Sequence, residues 1–187
     1  MPRGIIILAE MIAKKLGCQL DVLISRKIRS EFNEEFAIGA VMPDGEYFVN
    51  DGFVQLFQVS SDYLNKEIEF QRKEINRILL LFRGKASYER EFDEKVIIFV
   101  DDGISTGATI IASARRIKNN FKCKYLILAV PVAPANGKTI TILKDLVDKH
   151  LILYPKIEFS AVGQFYQRFD QVSNEEVKKI MLKYRNK

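Results

Sequence analysis

Ile97-Ile98-Phe99-Val100-Asp101-Asp102-Gly103-Ile104-Ser105-Thr106-Gly107-Ala108-Thr109 runs four apolar residues into two carboxylates and then into a loop of small and hydroxylic residues. The length and β-branched content of residues 97–100 predict a strand buried on both faces, of the kind found in the middle of a parallel sheet. Asp101 and Asp102 then stand at the strand's carboxyl end, the edge at which open α/β sheets bind ligands. Residues 110–118 have the spacing of an amphipathic helix, so the loop opens a helix.

Backbone N–H groups at a helix N-terminus lack intrahelical partners, and small residues let an anion approach them closely. Residues Ser105 to Thr109 therefore form a candidate phosphate cradle, with the hydroxyls of Ser105, Thr106 and Thr109 as further donors. The helix dipole contributes only ~0.3–1 kcal/mol to such a site, so converging amides must supply most of the affinity. Two adjacent carboxylates beside a phosphate need a bridge, because like charges about 4 Å apart repel by roughly 1 kcal/mol in water and ~4 at an intermediate dielectric. A sugar offers hydroxyl donors and a divalent cation offers charge. 5-Phosphoribosyl pyrophosphate (PRPP), with a phosphate, a ribose and a metal-chelating diphosphate, satisfies every part of this arrangement. An ordinary strand-turn-helix junction, with Asp-Asp-Gly as the turn and a hydroxylic cap, would use the same residues.

The segment resembles the PRPP-binding signature of the type I phosphoribosyltransferases: apolar residues, two acids and a Thr-Gly-x-Thr loop. Further stretches resemble a bacterial and archaeal group of that family: Pro2-Arg3-Gly4, residues 20–28, Phe36-Ala37-Ile38-Gly39-Ala40-Val41, Pro131-Val132-Ala133-Pro134 and residues 161–173. The resemblance implies an α/β fold, type I phosphoribosyltransferase-like, with a mostly parallel sheet flanked by helices and a small C-terminal hood over residues 158–187. It implies Mg2+-dependent transfer of the 5-phosphoribosyl group from PRPP to a nitrogenous base or related acceptor, with release of pyrophosphate. Asp101 and Asp102 would hold the ribose hydroxyls or metal-bound water, while residues 103–109 (Gly103, Ile104, Ser105, Thr106, Gly107, Ala108 and Thr109) bind the 5-phosphate. No dedicated protein ligands for the metal are expected, since Mg2+ prefers phosphate oxygens and water to a protein cage.

The leaving diphosphate needs its own donors. Pro2-Arg3-Gly4 resembles the family's short diphosphate loop, making Arg3 and Gly4 candidates, although Ile5 stands where relatives tend to carry a second glycine. Arg26-Lys27 resembles the pair that heads the mobile catalytic loop of the adenine and orotate members, with residues 28–35 as the lid that excludes water. Family members also place a helix and a strand ahead of the Pro-Arg-Gly loop, so a first sheet strand is expected to be missing, with three readings open: the true start lies upstream, a partner completes the sheet edge, or the product is a weakened enzyme. A homo-oligomer, a dimer, is the expected assembly. Phe165 and Tyr166 are candidates for stacking an acceptor base, against the alternative of ordinary core or contact aromatics.

Composition constrains the alternatives. With 187 residues, 48% of them hydrophobic, one α/β domain over 1–187 is the expectation. The net charge of +5 suits a polyanionic ligand, but 29 basic and 24 acidic residues are interleaved, which does not indicate a general nucleic-acid surface. Cys18, Cys123 and the single His150 have no metal-ligand spacing. The cysteines read as small core residues in a reducing cytoplasm, and His150 as a residue at a strand start. Residues 5–9 are apolar, but Glu10, Lys14 and Lys15 break a signal-like reading, and positions 8, 11, 12 and 16 predict a helix stopped by Gly17. No apolar stretch reaches the length of a membrane span.

Along the remaining chain, strands are expected at 20–25, 36–41, 125–132 and 151–154, with a turn at Pro43-Asp44-Gly45 and a hairpin element over 46–57. Helices are expected over 60–81 as a long solvent-facing element, to about Asn120 after the cradle, over 135–148 and over 174–184. Two further functions compete with transfer. A PRPP- or nucleotide-sensing regulator of the same fold would bind without turnover, and a phosphatase or nucleoside phosphorylase would need acid or histidine placements that this sequence does not have.

Overall fold

The computed structural model describes residues 4–31, 33–88, 92–105, 107–169 and 172–185. They fall into two compact units, one within residues 23–87 and one within residues 4–22 and 88–185.

The second unit is organised by a parallel sheet in the order β4 (Val96–Val100), β5 (Tyr125–Pro134), β6 (Lys149–Lys156), numbered after three strands of the first unit. β5 is its middle strand, and its alternate residues Leu126, Leu128, Val130 and Val132 are buried, the period-2 pattern of a strand with one face in the core. The helices α4 (Ala108–Asn120) and α5 (Lys138–Leu146) lie side by side, and Ile140 and Leu143 of α5 share a narrow apolar crevice with Leu128 and Ile152. Helix α1 (Ile5–Leu16) contacts β4 and the C-terminal helix α6 (Asn174–Leu182), where Lys183 Nζ meets Glu10 Oε1 at 2.8 Å. α6 begins with a reciprocal cap between Ser173 and Glu176.

Two side chains stitch the base of this unit. Asp148 accepts from the Leu126 N–H at 2.7 Å and from Lys118 Nζ at 2.5 Å, which holds its carboxyl below the usual carboxylate range. Arg116 is buried beneath the rings of Tyr88 and Phe121, and loss of hydration pulls its guanidinium down to about 10.

The first unit is an antiparallel sheet, β1 (Arg26–Ser30), β2 (Asn33–Val41) and β3 (Tyr47–Val49), with α2 (Asp51–Leu56) and α3 (Ser61–Arg83). Ser60 caps α3 by accepting the Tyr63 N–H. Ile68, Gln71, Ile75, Leu79 and Phe82 form the buried stripe of α3 at helical spacing.

Several expectations change. β4 is not buried on both faces: among the described residues it borders only β5, Val96 is 57% exposed and residues 97–100 are half-buried. Residues 20–25 are not assigned to a strand, although Val22 and Ile24 are buried, and the ladder begins instead at Arg26. The predicted mobile stretch 28–35 lies largely in the β1–β2 hairpin, with Ile28 fully buried. Of the hairpin expected over 46–57 only Tyr47–Val49 is strand, because the Asn50 side chain accepts the Phe53 N–H and starts α2. The turn at 43–45 is present, closed by the Gly45 N–H on Met42 O at 3.0 Å. α5 starts at Lys138 rather than Ala135 because β5 continues to Pro134. α1 forms as predicted, but it buries Ile6 and Ala13 and leaves Met11 and Leu16 exposed. Neither cysteine is a core residue, Cys18 being exposed and Cys123 half-buried. His150 does stand at the start of β6. No described helix is long and apolar enough to cross a membrane.

Truncation separates core from surface. Leu128→Ala should cost about 2–5 kcal/mol of stability in urea denaturation, whereas Leu153→Ala should stay within about 0.5 kcal/mol, because Leu128 is buried at the sheet centre and Leu153 is 67% exposed.

Candidate functional site

Beyond β4 the chain keeps its hold on β5. The Asp101 N–H donates to Ala129 O at 3.3 Å, and the Ile104 N–H to Val132 O at 3.0 Å. These bonds lay residues 101–104 along the carboxyl half of β5. Ile104 is fully buried and acts as an apolar anchor, while Ser105 and Thr109 on either side of the loop's end are exposed. The anchor and the exposed hydroxyls follow from the alternation of Ile with Ser and Thr in this segment.

Gly103 tolerates no side chain. A β-carbon there would lie 2.9 Å from Val132 Cγ1, from Val132 O and from Val162 Cγ1. Gly107 caps α4 at φ 74°, a left-handed conformation that favours glycine, and among the described residues no side-chain hydrogen bond caps that helix end. α4 thus begins beside the exposed residues Ser105 and Thr109, and the first N–H groups of a helix together with such hydroxyls are the donor set an anion takes.

The two acids are electrostatically strained. Burial, and then the neighbouring Asp102 carboxylate, push the Asp101 carboxyl up to about 7. Asp102, only 7% exposed, is also raised by burial but is pulled back by its own N–H and that of Gly103. Asp101 Oδ1 accepts the Asp102 N–H at 3.0 Å. Tyr166, at the end of a 3-10 turn over Val162–Phe165, donates its hydroxyl to Asp102 O at 2.5 Å. Burial, together with the two carboxylates, pushes its own ionisation up to about 12.

Asp101, Asp102, Gly103, Ile104, Ser105, Gly107, Ala108, Thr109 and Tyr166 thus belong to one neighbourhood at the carboxyl edge of β4 and β5. Phe165 joins a different group: its ring is 5.2 Å from that of Phe159, and Lys156 Nζ lies 5.6 Å from its centroid. Gly4 precedes α1 in a helical conformation and accepts the Ile7 N–H at 3.2 Å. Arg3 and Thr106 lie outside the described residues. Arg26 and Lys27 open β1 in the other unit, where the Arg26 Nε–H donates to Gln71 Oε1 and Gln71 Nε2 in turn donates to Glu67 Oε1 at 2.8 Å, while Lys27 is exposed. Sequence reading missed Gln71, a polar residue in the apolar stripe of α3, and that misplacement was the available signal. It also missed Val162, which has none. Among the described residues no three His, Cys, Asp or Glu side chains cluster as a metal cage.

The fold and this strand-loop-helix edge define an α/β protein with a type I phosphoribosyltransferase-like architecture. The family model described as "Phosphoribosyl transferase domain" matches residues 2–152, and the chain belongs to that family. Two Mycobacterium tuberculosis proteins, named "Putative phosphoribosyl transferase Rv0571c" (strain H37Rv) and "Putative phosphoribosyl transferase MT0597" (strain CDC 1551), are each 32% identical to it over 177 residues, 95% of this chain. The chain spans 39% of the length of those relatives. The crystal structure of TT1426 from Thermus thermophilus is similar with a TM-score of 0.71 and 29% identity, covering 98% of this chain and 85% of that one.

Two outcomes follow from the geometry. Gly103→Ala should destabilise the fold by about 1–3 kcal/mol in chemical denaturation, since its three clashing neighbours are packed. A carboxyl raised in the folded state binds its proton more tightly there than when unfolded. Stability should therefore fall as pH rises from the ordinary carboxylate range to about 7, and be level above. Asp101→Asn should remove that fall, leaving the variant more stable than wild type by about 1–3 kcal/mol near about pH 7.5, with the gap closing towards about pH 4.

Proposed function

We propose that the protein binds PRPP at the β4 edge and transfers its 5-phosphoribosyl group to a nitrogenous acceptor. The observation that carries this reading is that two carboxyls, both raised by burial, stand at the strand end that leads through the left-handed Gly107 into α4, with Ser105 and Thr109 exposed beside the helix start. Membership of the phosphoribosyl transferase domain family supports it.

The 5-phosphate takes the N–H groups and hydroxyls of residues 105–109. The ribose hydroxyls donate to Asp101 and Asp102, which relieves the repulsion between the two acids. In the reaction the bond from the anomeric carbon to the diphosphate breaks with its electrons on oxygen. The acceptor nitrogen forms the new bond and gives up a proton, and pyrophosphate leaves. Charge grows on the departing diphosphate, so cations and oriented N–H groups there lower the barrier. Arg3, Arg26 and Lys27 are the candidates for that role by their sequence motifs alone.

Mg2+, a hard cation that takes phosphate oxygens and keeps several waters, would be held by the diphosphate and water, with Asp101 or Asp102 meeting it through a bound water, and it would supply positive charge to the leaving group.

Titration calorimetry with PRPP tests the reading. Uptake strengthened by Mg2+ is expected, with Asp101→Asn and Asp102→Asn each weakening it by about tenfold or more. Pyrophosphate release across a panel of purine and pyrimidine bases should accompany at least one acceptor. No Mg2+-aided uptake would refute the assignment, and tight uptake with no release from any base would favour a ligand-sensing protein instead.

A further inference from the structure

The 3-10 turn over Val162–Phe165 is fastened to the end of β4 at two points. Val162 closes over Gly103 at the distance at which no β-carbon fits, and Tyr166 donates to the Asp102 carbonyl. The turn is closed internally by the Tyr166 N–H on Gly163 O at 3.2 Å. The Tyr166 ring also lies against Phe169, with centroids 5.0 Å apart, and Phe169 in turn packs close over Gly163. The tyrosine is therefore held at its ring and at its hydroxyl.

That hydroxyl completes the fixing of the acid pair. The Asp102 N–H is held by Asp101 Oδ1, the Asp102 carbonyl by Tyr166, and the Ile104 N–H by Val132 O. With both peptide groups of Asp102 tied, the direction of its Cα–Cβ bond is set, and Asp101 is set with it through the shared peptide. A ligand whose hydroxyls must meet two carboxylates gains from such preorganisation, because no ordering remains to be done on binding.

We propose that Tyr166 is a positioning residue: by holding the Asp102 carbonyl it aims the two carboxylates at the sugar hydroxyls, without touching the phosphate. This gives Tyr166 a task other than stacking an acceptor base, and it rests on the assignment of the acids to ribose.

The test compares Tyr166→Phe with wild type by calorimetry against adenosine monophosphate and its 2′,3′-dideoxy counterpart, which keeps the phosphate and lacks the hydroxyls. Wild type should prefer the hydroxylated ligand. Tyr166→Phe should lose about three- to tenfold on that ligand as the carboxylates lose their fixed direction, and stay within about twofold on the dideoxy one. Equal weakening of both, or no change in either, overturns the positioning role while leaving the site assignment in place. Absence of any preference in wild type overturns the assignment of the acids and the positioning role with it. Should Tyr166→Phe not fold, Val162→Ala, which loosens the same turn at its other fastening, replaces it with the same expectations.

Discussion

The pairing of residues 101–104 with β5 is the constraint on which the rest of the site depends. Ordinarily a strand ends and its loop leaves the sheet. Here the Ile104 N–H reaches Val132 O and the Ile104 side chain enters the core, so two aspartates are carried into a crowded position that neither would occupy alone. Their raised carboxyls record that cost. A fold keeps such a cost when a bound group offsets it, and hydroxyl donors or a cation would do so.

The glycines and the hood serve the same constraint. Gly103 lets Val132 and Val162 close around the backbone, and Gly107 turns the chain left-handed into the start of α4. Tyr166 then completes the cage around Asp102 from the C-terminal side, so that residues far apart in the chain act on one peptide unit. Under the proposed reading, stability and ligand geometry are linked at this edge: a change that relaxes the acids stabilises the protein and weakens their hold on the sugar.

Much of this was legible in the sequence, because it was written in local patterns. The run from Ile97 to Thr109 contains its own strand, turn chemistry and helix start, and those signals hold whatever surrounds them. The helices over α3, α4 and α6 were legible for the same reason, through the helical spacing of their apolar residues, and the structure adds the caps at Ser60 and Ser173. What escaped was set by partners distant in sequence. Whether β4 is central or bordering depends on which strands pair with it, and four apolar residues do not say. Residues 28–35 read as a loop because Arg26-Lys27 resembles a loop motif, yet the pairing of β1 with β2 makes a hairpin of them. Tyr166 was visible as an aromatic near a hood, but its bond to a main-chain carbonyl leaves no trace in residue identity.

A crystal structure with ribose 5-phosphate bound bears most directly on the central claim, since it reads orientation rather than affinity. The expected result is the phosphate on the N–H groups of residues 105–109, with sugar hydroxyls within hydrogen-bond distance of Asp101 or Asp102. A phosphate seated elsewhere, or a sugar directed away from both carboxylates, would contradict it.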